Sequence, residues 1–110
     1  LWRELGPQHP IVEALVDLRD GAAVEAVCRD FRPELVLHLA AQSLVRRSYD
    51  DPHATWSTNF LGTLNLLDGL RRAAAPRAVL VVTSDKVYRS GRRRRAHRED
   101  DPLGGDDPYS

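Results

Sequence analysis

A serine, an aspartate and a lysine stand next to one another at Ser84, Asp85 and Lys86, directly after the apolar run 78–83. A hydroxyl can donate to a developing oxyanion, a carboxylic acid can act as general acid, and a lysine can act as general base where burial or neighbouring charges lower its pKa. Open α/β sheets bind ligands at the carboxyl ends of their strands, so this order predicts a catalytic site. A polar strand end that carries an ion pair is the alternative interpretation.

A second group of candidate binding residues follows the predicted strand 13–17. A carboxylate such as Asp17 at a strand end can accept a hydrogen bond from an adenine amino group. The alternative interpretation is a simple turn in which Asp20 caps the next helix.

The segment 38–42, which reads HLAAQ, ends the next predicted strand. Its two alanines would let a flat cofactor or a sugar approach the backbone closely, although a packing contact between helix and sheet gives the same pattern. We interpret His38 as a hydrogen-bonded histidine of the core, since it lies inside an apolar strand.

Asparagine and glycine interrupt the helix predicted farther along, within the segment TNFLGT at 58–63. Both are poor helix formers, so their presence indicates a polar contact at Asn59 and close packing at Gly62. A tolerated imperfection of the helix is the alternative.

The elements that position these residues alternate along the chain. Apolar runs predict strands at 13–17, 35–39 and 78–83. A capped helix is expected between Asp20 and Pro33, and an amphipathic helix at 52–75, with a polar connection at 40–51 and a loop after Lys86. The apolar stripe of the second helix comprises Trp56, Phe60, Leu64, Leu67 and Leu70. This order favours an α/β fold with a parallel sheet and helices on both faces.

Composition limits the possible partners. The 110 residues carry no net charge, so no global field draws the chain to nucleic acid or to a membrane. The arginine run 92–95 has no interleaved aromatic residue, which favours a solvated loop over a nucleic-acid contact. No apolar run is long enough to span a membrane, and a cytoplasmic location is the default expectation. Cys28 is the sole cysteine, which excludes an internal disulfide and indicates a core residue.

Five segments together carry a family pattern, although each of them is weak alone. They are DLRD at 17–20, HLAAQSLVRRSY at 38–49, TNFLGT at 58–63, TSDK at 83–86 and REDDPLGGDDPYS at 98–110. With these segments the chain resembles the extended short-chain dehydrogenase/reductase family of nucleotide-sugar enzymes, most closely its CDP-glucose 4,6-dehydratase branch. The related dTDP-glucose dehydratases carry glutamate where this chain has Lys86.

The resemblance implies a Rossmann-type, doubly wound parallel sheet that holds NAD. It also implies that residues 1–110 are part of a single NAD-binding domain, with the glycine-rich βα unit and the C-terminal substrate domain outside them. A homodimer and a nucleotide-sugar substrate are expected by the same analogy. The expected reaction oxidises C4, eliminates water across C5 and C6, and returns the hydride to C6.

The resemblance also assigns roles to individual residues. Tyr109 would deprotonate the sugar 4-hydroxyl, Ser84 would lie near that hydroxyl, and Asp85 and Lys86 would eliminate water. The remaining matched positions would bind the cofactor: Asp17 and Leu18 at the adenine, Leu39, Ala40, Ala41 and Gln42 along the ribose and diphosphate, Asn59 at the pocket wall, and Thr83 near the nicotinamide.

Two departures from the family keep alternatives open. The lysine that the family carries four residues after its tyrosine would lie beyond Ser110. Residues 89–97 read RSGRRRRAH where relatives carry aromatic and mixed residues, which indicates either a divergent surface loop or two compensating reading-frame errors. Another NAD-dependent epimerase or dehydratase acting on a GDP-, dTDP- or UDP-sugar, and a non-catalytic dinucleotide-binding remnant, therefore remain as alternatives.

Overall fold

The computed structural model describes residues 11–73, 75–89, 91 and 95–110. Arg92 to Arg94, most of the arginine run considered above, lie outside the described residues.

Helix α1 spans Gly21–Phe31 and begins where the sequence predicts. The Asp20 side chain accepts a hydrogen bond from the Ala23 N–H at 3.1 Å, which satisfies one of the free donors of the first turn. At the other end, Arg32 adopts a left-handed conformation (φ 49°) and donates its N–H to the Cys28 carbonyl. Pro33 follows and cannot continue the helix.

The strands β1 (Leu35–His38) and β2 (Ala78–Val81) pair in parallel, with Leu35 opposite Ala78 and His38 opposite Val81. This confirms the α/β class and the parallel sheet, with strands shorter than predicted at their carboxyl ends. Val36 packs against the helices, whereas Leu35 and Leu37 on the other face are about two-thirds exposed. The helices among the described residues therefore cover one face of these two strands.

The strand predicted at 13–17 is wrong: no β pairing is formed there. A strand exists through its ladder of hydrogen bonds to a neighbour, and β1 and β2 bond only to each other among the described strands. Leu15, at 92% exposure, shows how little of this segment is covered. The apolar run alone could not reveal whether a partner strand is present.

The connection predicted at 40–51 is also wrong in part, because it contains helix α2 at Val45–Asp50. Ser48 is fully buried in this helix and donates its hydroxyl to the Val45 carbonyl at 2.6 Å. The polar composition of this stretch hid a helix too short to show a clear period. Asp51 then caps helix α3 (Pro52–Trp56) by accepting from the Ala54 N–H at 2.9 Å, and Pro52 occupies the first turn as predicted.

The helix predicted as one unbroken element at 52–75 consists of three parts. After α3 the backbone forms a π-helical turn at Ser57–Leu61 and then helix α4 at Gly62–Ala73. The π turn contains Asn59 and ends at Gly62, the two residues that the sequence marks as poor helix formers. Such turns are often found at functional sites because they alter the direction in which side chains point.

The core lies where α1 crosses α4. Val24, Cys28 and Leu70 are each at most 4% exposed, and Leu18, Val36, Leu66 and Ala73 pack around them. The burial of Cys28 confirms its interpretation as a core residue. Close approach of the two helices is possible because Gly69 has no side chain: a Cβ there would lie 3.3 Å from the Cα of Glu25.

The apolar stripe recognised in the sequence is not the face that packs against α1. Of its five members only Leu70 is buried, while the other four are between 42% and 59% exposed. The packed face instead carries Gly62, Leu66, Gly69 and Leu70. A packing face built on glycine has too little hydrophobic signal for periodicity to reveal it.

After β2 the chain forms a 3₁₀ turn at Asp85–Val87 and then a loop that returns to it. The loop is closed by an antiparallel bridge between Tyr88 and Leu103, and by a hydrogen bond of 2.9 Å from the Gly104 N–H to the Val87 carbonyl. In the described residues, none of the helices has the length and apolarity needed to cross a membrane.

Candidate active site

A cleft of about 450 Å³ opens at the carboxyl ends of β1 and β2. Both strands deliver their following residues to this edge because they are parallel. Seven of the predicted site residues line the cleft: Leu39, Ala40, Ala41, Asn59, Thr83, Ser84 and Tyr109. Its opposite wall is apolar and includes Phe60, Leu64 and Leu67, members of the exposed stripe.

A second cavity of about 440 Å³ lies beside the first and shares Ala41 and Ser43 with it. Asp17 and Gln42, two further predicted cofactor residues, line this second cavity together with Arg19 and Arg47. The two cavities together offer a long depression with alanine at its centre, the shape expected for an extended ligand such as a dinucleotide.

Three predicted site residues line neither cavity. Leu18 packs against the core, and its carbonyl accepts a hydrogen bond of 2.8 Å from the Asn65 side chain. Asp85 and Lys86 are exposed on the 3₁₀ turn next to the cleft. The described residues therefore do not enclose Lys86, although a base at this position requires enclosure or a neighbouring charge.

The Asn59 amide fixes the loop that follows β1. Its Oδ1 accepts from the Gln42 N–H at 2.8 Å, and its Nδ2 donates to the Gln42 carbonyl at 2.9 Å. The Gln42 side chain then holds the backbone of Leu44 on both its N–H and its carbonyl, at 2.7 and 3.1 Å. The polar contact predicted at Asn59 is therefore present, and it is made to the backbone of the loop that lines the cleft.

His38 is the histidine of the core that the sequence predicts. It is 5% exposed, and its Nε2 lies 2.9 Å from the Thr63 hydroxyl. Its imidazole is thus hydrogen-bonded across the boundary between sheet and helix.

Ser84 caps the 3₁₀ turn by accepting a hydrogen bond of 3.2 Å from the Lys86 N–H. A serine hydroxyl has one hydrogen of its own in addition to its lone pairs, so Ser84 can accept from the backbone and still donate into the cleft. This geometry leaves Ser84 able to donate a hydrogen bond to a ligand in the cleft.

Tyr109 is half-buried at the edge of the cleft and is held there by two contacts of its neighbours. The Trp56 indole N–H donates to the Pro108 carbonyl at 3.0 Å, and the Ser110 N–H donates to the Asp107 carboxylate at 2.9 Å. The Ser110 N–H is the main cause that lowers the pKa of Asp107, with a smaller contribution from the charge of Lys86. Lys86 and Asp107, which lies two residues before Tyr109, are therefore close enough for the charge of one to affect the other.

Sequence reasoning assigned Trp56 only to an apolar stripe and missed its contact with Pro108. No spacing rule identifies this acceptor, because it lies 52 residues away in the sequence. The one sign of such a contact in the sequence was the presence of a tryptophan at a stripe position where an aliphatic residue would have sufficed.

Asp17 is paired with Arg19 rather than left free. The guanidinium donates at 3.0 and 2.6 Å to the two carboxylate oxygens, and the Arg19 N–H adds a bond of 2.9 Å. These bonds lower the pKa of Asp17 to about 2. The carboxylate therefore stays ionised and faces the second cavity, where it retains lone pairs for a further donor.

Arg95 contacts Asp101, which is 7% exposed, through bonds of 2.7 and 3.1 Å. The described member of the arginine run thus has a structural partner. No cluster of side chains suited to a metal ion occurs among the residues that the structure describes.

The family model of GDP-mannose 4,6 dehydratase matches residues 7–110. The chain is 44% identical, over 94 residues, to a CDP-glucose 4,6-dehydratase of Salmonella typhimurium. It is 36% identical, over 103 residues, to a dTDP-glucose 4,6-dehydratase of Xanthomonas campestris. Each alignment covers 86% of this chain, but only 26% and 29% of the respective relative.

Solved structures give the same relationship. The UDP-glucose 4-epimerase of Thermus thermophilus, solved with NAD, superposes with a TM-score of 0.75 at 37% identity and covers 86% of this chain and 30% of its own. The protein RMD of Pseudomonas aeruginosa, solved with NADPH, gives 0.79 at 27% identity and covers 98% of this chain and 39% of its own. The chain thus has a Rossmann-type fold and belongs to the GDP-mannose 4,6 dehydratase family, within the extended short-chain dehydrogenase/reductases.

Proposed function

We propose that this chain is the cofactor-binding part of an NAD-dependent nucleotide-sugar 4,6-dehydratase that converts CDP-glucose to CDP-4-keto-6-deoxyglucose. The observation that carries the proposal is the cleft at the strand ends, which gathers seven of the twelve residues that the family pattern selects. The chain spans between 26% and 39% of the length of the relatives above, so the whole activity is proposed for a longer protein that contains it.

The two cavities suit a nicotinamide dinucleotide. At their shared part stands Ala41, whose small side chain leaves the backbone accessible to a ribose or a diphosphate. Asp17 would hold the adenine end, Asn59 would form the middle of the pocket, and Thr83 would contact the nicotinamide end. When bound, this cofactor would supply the hydride chemistry of the reaction, as the acceptor for the hydride of C4 and the donor for C6. The choice of NAD over NADP is part of the proposal.

Residues of this chain would handle the protons. Tyr109 takes the proton of the 4-hydroxyl as C4 is oxidised, while Ser84 donates its free hydrogen to the same oxygen and stabilises its negative charge. The resulting ketone acidifies the proton on C5. Lys86 removes that proton, and Asp85 delivers a proton to the hydroxyl that leaves C6, so that one water is lost. Both lie on the exposed turn beside Ser84, at the rim of the cleft.

CDP-glucose is favoured as the substrate by two observations. Identity is higher to the CDP-glucose dehydratase than to the dTDP-glucose dehydratase, at 44% against 36%. Lys86 occupies a position where the resemblance places glutamate in the dTDP-sugar enzymes. A lysine and a glutamate have opposite charge, so this position should separate the two branches.

The decisive experiment incubates the complete protein with NAD and CDP-glucose that carries deuterium at C4. The expected product has lost one water and carries the deuterium at C6, as observed by mass spectrometry and NMR. An epimerase would instead return the deuterium to C4 and retain the C6 hydroxyl. dTDP-glucose, UDP-glucose and GDP-mannose, offered in parallel, test the substrate.

A variant pair tests the site. Tyr109→Phe should lower kcat by roughly 10²–10⁴-fold because it removes the proposed base. Tyr49→Phe is the matched control, since Tyr49 is exposed and lines neither cavity. A complete protein that binds NAD but dehydrates none of the four sugars would refute the dehydratase proposal and favour the dinucleotide-binding remnant.

A further inference from the structure

We propose that His38 and Thr63 are positioning residues that fix the cofactor-lining loop through a hydroxyl relay to Asn59. The inference rests on the proposed function, because it concerns the affinity of the same cleft for its dinucleotide. It assigns a role to a buried imidazole and a half-buried hydroxyl that the proposed chemistry does not use.

The relay runs from the sheet to the π turn. His38 is the last residue of β1, and its Nε2 lies 2.9 Å from the Thr63 hydroxyl in the first turn of α4. That hydroxyl donates to the Asn59 carbonyl, four residues earlier, at 2.6 Å. Asn59 lies inside the π turn Ser57–Leu61, so the relay ends on the backbone of this irregular turn.

The direction of the relay follows from counting hydrogens. A threonine hydroxyl has one hydrogen, and here the Asn59 carbonyl accepts it. Thr63 can therefore only accept from His38, which requires a hydrogen on Nε2 of the imidazole. The contact thus selects the tautomer of His38.

The Asn59 side chain connects the relay to the loop that lines the cleft. Its amide holds Gln42 at both the N–H and the carbonyl, while His38 is held through Thr63. His38 and Gln42 flank the three residues 39–41, all of which line the cleft. Both ends of this short loop are therefore attached to one stretch of helix, and both attachments pass through Asn59.

Such a two-point attachment matters for binding because the loop presents its backbone to the ligand. A loop held in its binding conformation loses less conformational freedom when the ligand binds. Loss of the relay should release the His38 ring and allow the π turn to move, and with it the Asn59 contacts to Gln42, which lowers the affinity for the cofactor even while the core stays folded.

Three variants of the complete protein separate this role from simple packing. Thr63→Val keeps the shape of the side chain and removes the hydroxyl, whereas Thr63→Ser keeps the hydroxyl. Ser57→Ala is the matched control. The Ser57 hydroxyl also donates to a backbone carbonyl of the same helical stretch, that of Ala54 at 3.2 Å, but this bond does not continue to the sheet.

The affinity for NAD is measured by calorimetry at a temperature where circular dichroism shows every variant folded. Thr63→Val should raise the Kd about tenfold, the effect of losing the two hydrogen bonds of the relay, whereas Thr63→Ser and Ser57→Ala should stay within about twofold of the wild type. A Thr63→Val protein that is less stable yet binds NAD like the wild type would overturn the positioning role. A wild type that binds no nicotinamide dinucleotide would refute the proposed function itself, and the role with it.

A second measurement needs neither cofactor nor activity. Nitrogen-15 NMR of the histidine rings, with the His38 signals assigned by their loss in His38→Gln, should show the hydrogen on Nε2. Neutral His38 with its hydrogen on Nδ1 would contradict the relay, even if Thr63→Val did not fold.

Discussion

Substituting Gly62 by alanine should destabilise the protein, although alanine is the better helix former. Gly62 is the first residue of α4, and it is buried against Leu18, which lies two residues before the cap of α1. A Cβ at Gly62 would lie 2.9 Å from the Cβ of Leu18. Carbon atoms in favourable contact are about 3.5–4.0 Å apart, so the two would overlap.

Two opposing effects determine the magnitude. Alanine gains about 1 kcal/mol over glycine within a helix. Overpacking a filled site costs typically about 1–3 kcal/mol. The Leu18 Cβ is attached directly to the backbone, so rotation of its side chain cannot relieve the overlap and the upper part of that range applies. The expected net loss is about 1–2 kcal/mol of the free energy of unfolding.

Urea unfolding followed by circular dichroism measures this loss as a lower midpoint with an unchanged slope. Gly91→Ala is the matched control, because no atom of the described residues lies within 4 Å of its added Cβ, and it should change the midpoint little. Gly69→Ala should fall between the two, with its closest contact at 3.3 Å. The same ordering is expected for thermal unfolding.

A second substitution tests the cause. Leu18→Ala keeps the Cβ that would be struck, so it should not rescue Gly62→Ala, whereas Leu18→Gly removes that Cβ and should reduce the cost of the alanine. The coupling free energy of each pair comes from a double-mutant cycle. If Gly62→Ala were as stable as Gly91→Ala, or if Leu18→Ala rescued it fully, the steric reasoning would be refuted.

Three further outcomes are expected. Carbon NMR should find the pKa of the Asp17 carboxyl near 2, and in Arg19→Gln this pKa should lie closer to its ordinary 3.8. The stability that this ion pair contributes is present above pH 3.8 and is lost as the pH falls through about 2. Cys28, whose burial raises its pKa, should react with a thiol reagent far more slowly in the folded protein than in urea, and equal rates would contradict its burial. In the complete protein, Trp56→Phe removes the donor to the segment of Tyr109 and should lower kcat roughly tenfold without changing NAD affinity; an unchanged kcat would exclude the anchor.

Local chemistry made part of the fold predictable. Asp20 caps α1, Pro52 opens α3, and the apolar runs after Pro33 and before Thr83 form the paired strands. Each of these signals depends on residues close together in the sequence, on a side chain that accepts from the backbone or on a run of apolar residues. The family pattern then selected twelve residues, seven of which the fold brings to one cleft, although these lie up to 70 residues apart in the chain (Leu39 to Tyr109).

The failures share a different cause. Whether residues 13–17 pair as a strand depends on a neighbour, and which face of α4 is packed depends on how closely α1 can approach it. Gly69 decides the second question, because its missing side chain brings the backbone of Glu25 within contact distance. Hydrophobic periodicity gives weight to large side chains, so it favoured Phe60 and Leu64, which line the cleft instead.

The two parts of the proposed site are held in place by different segments of the chain. The cofactor half depends on bonds to backbone within well-packed elements, such as those of Asn59. Two of the proposed proton-transfer residues, Asp85 and Lys86, lie on the 3₁₀ turn Asp85–Val87, and the returning loop supports this turn because the Gly104 N–H donates to the Val87 carbonyl at 2.9 Å. Gly104 has φ 157°, within the range that favours glycine. The turn of Lys86 is therefore supported by Gly104, which lies in the segment 98–110 that follows the family pattern and not in the loop 89–97 that departs from it.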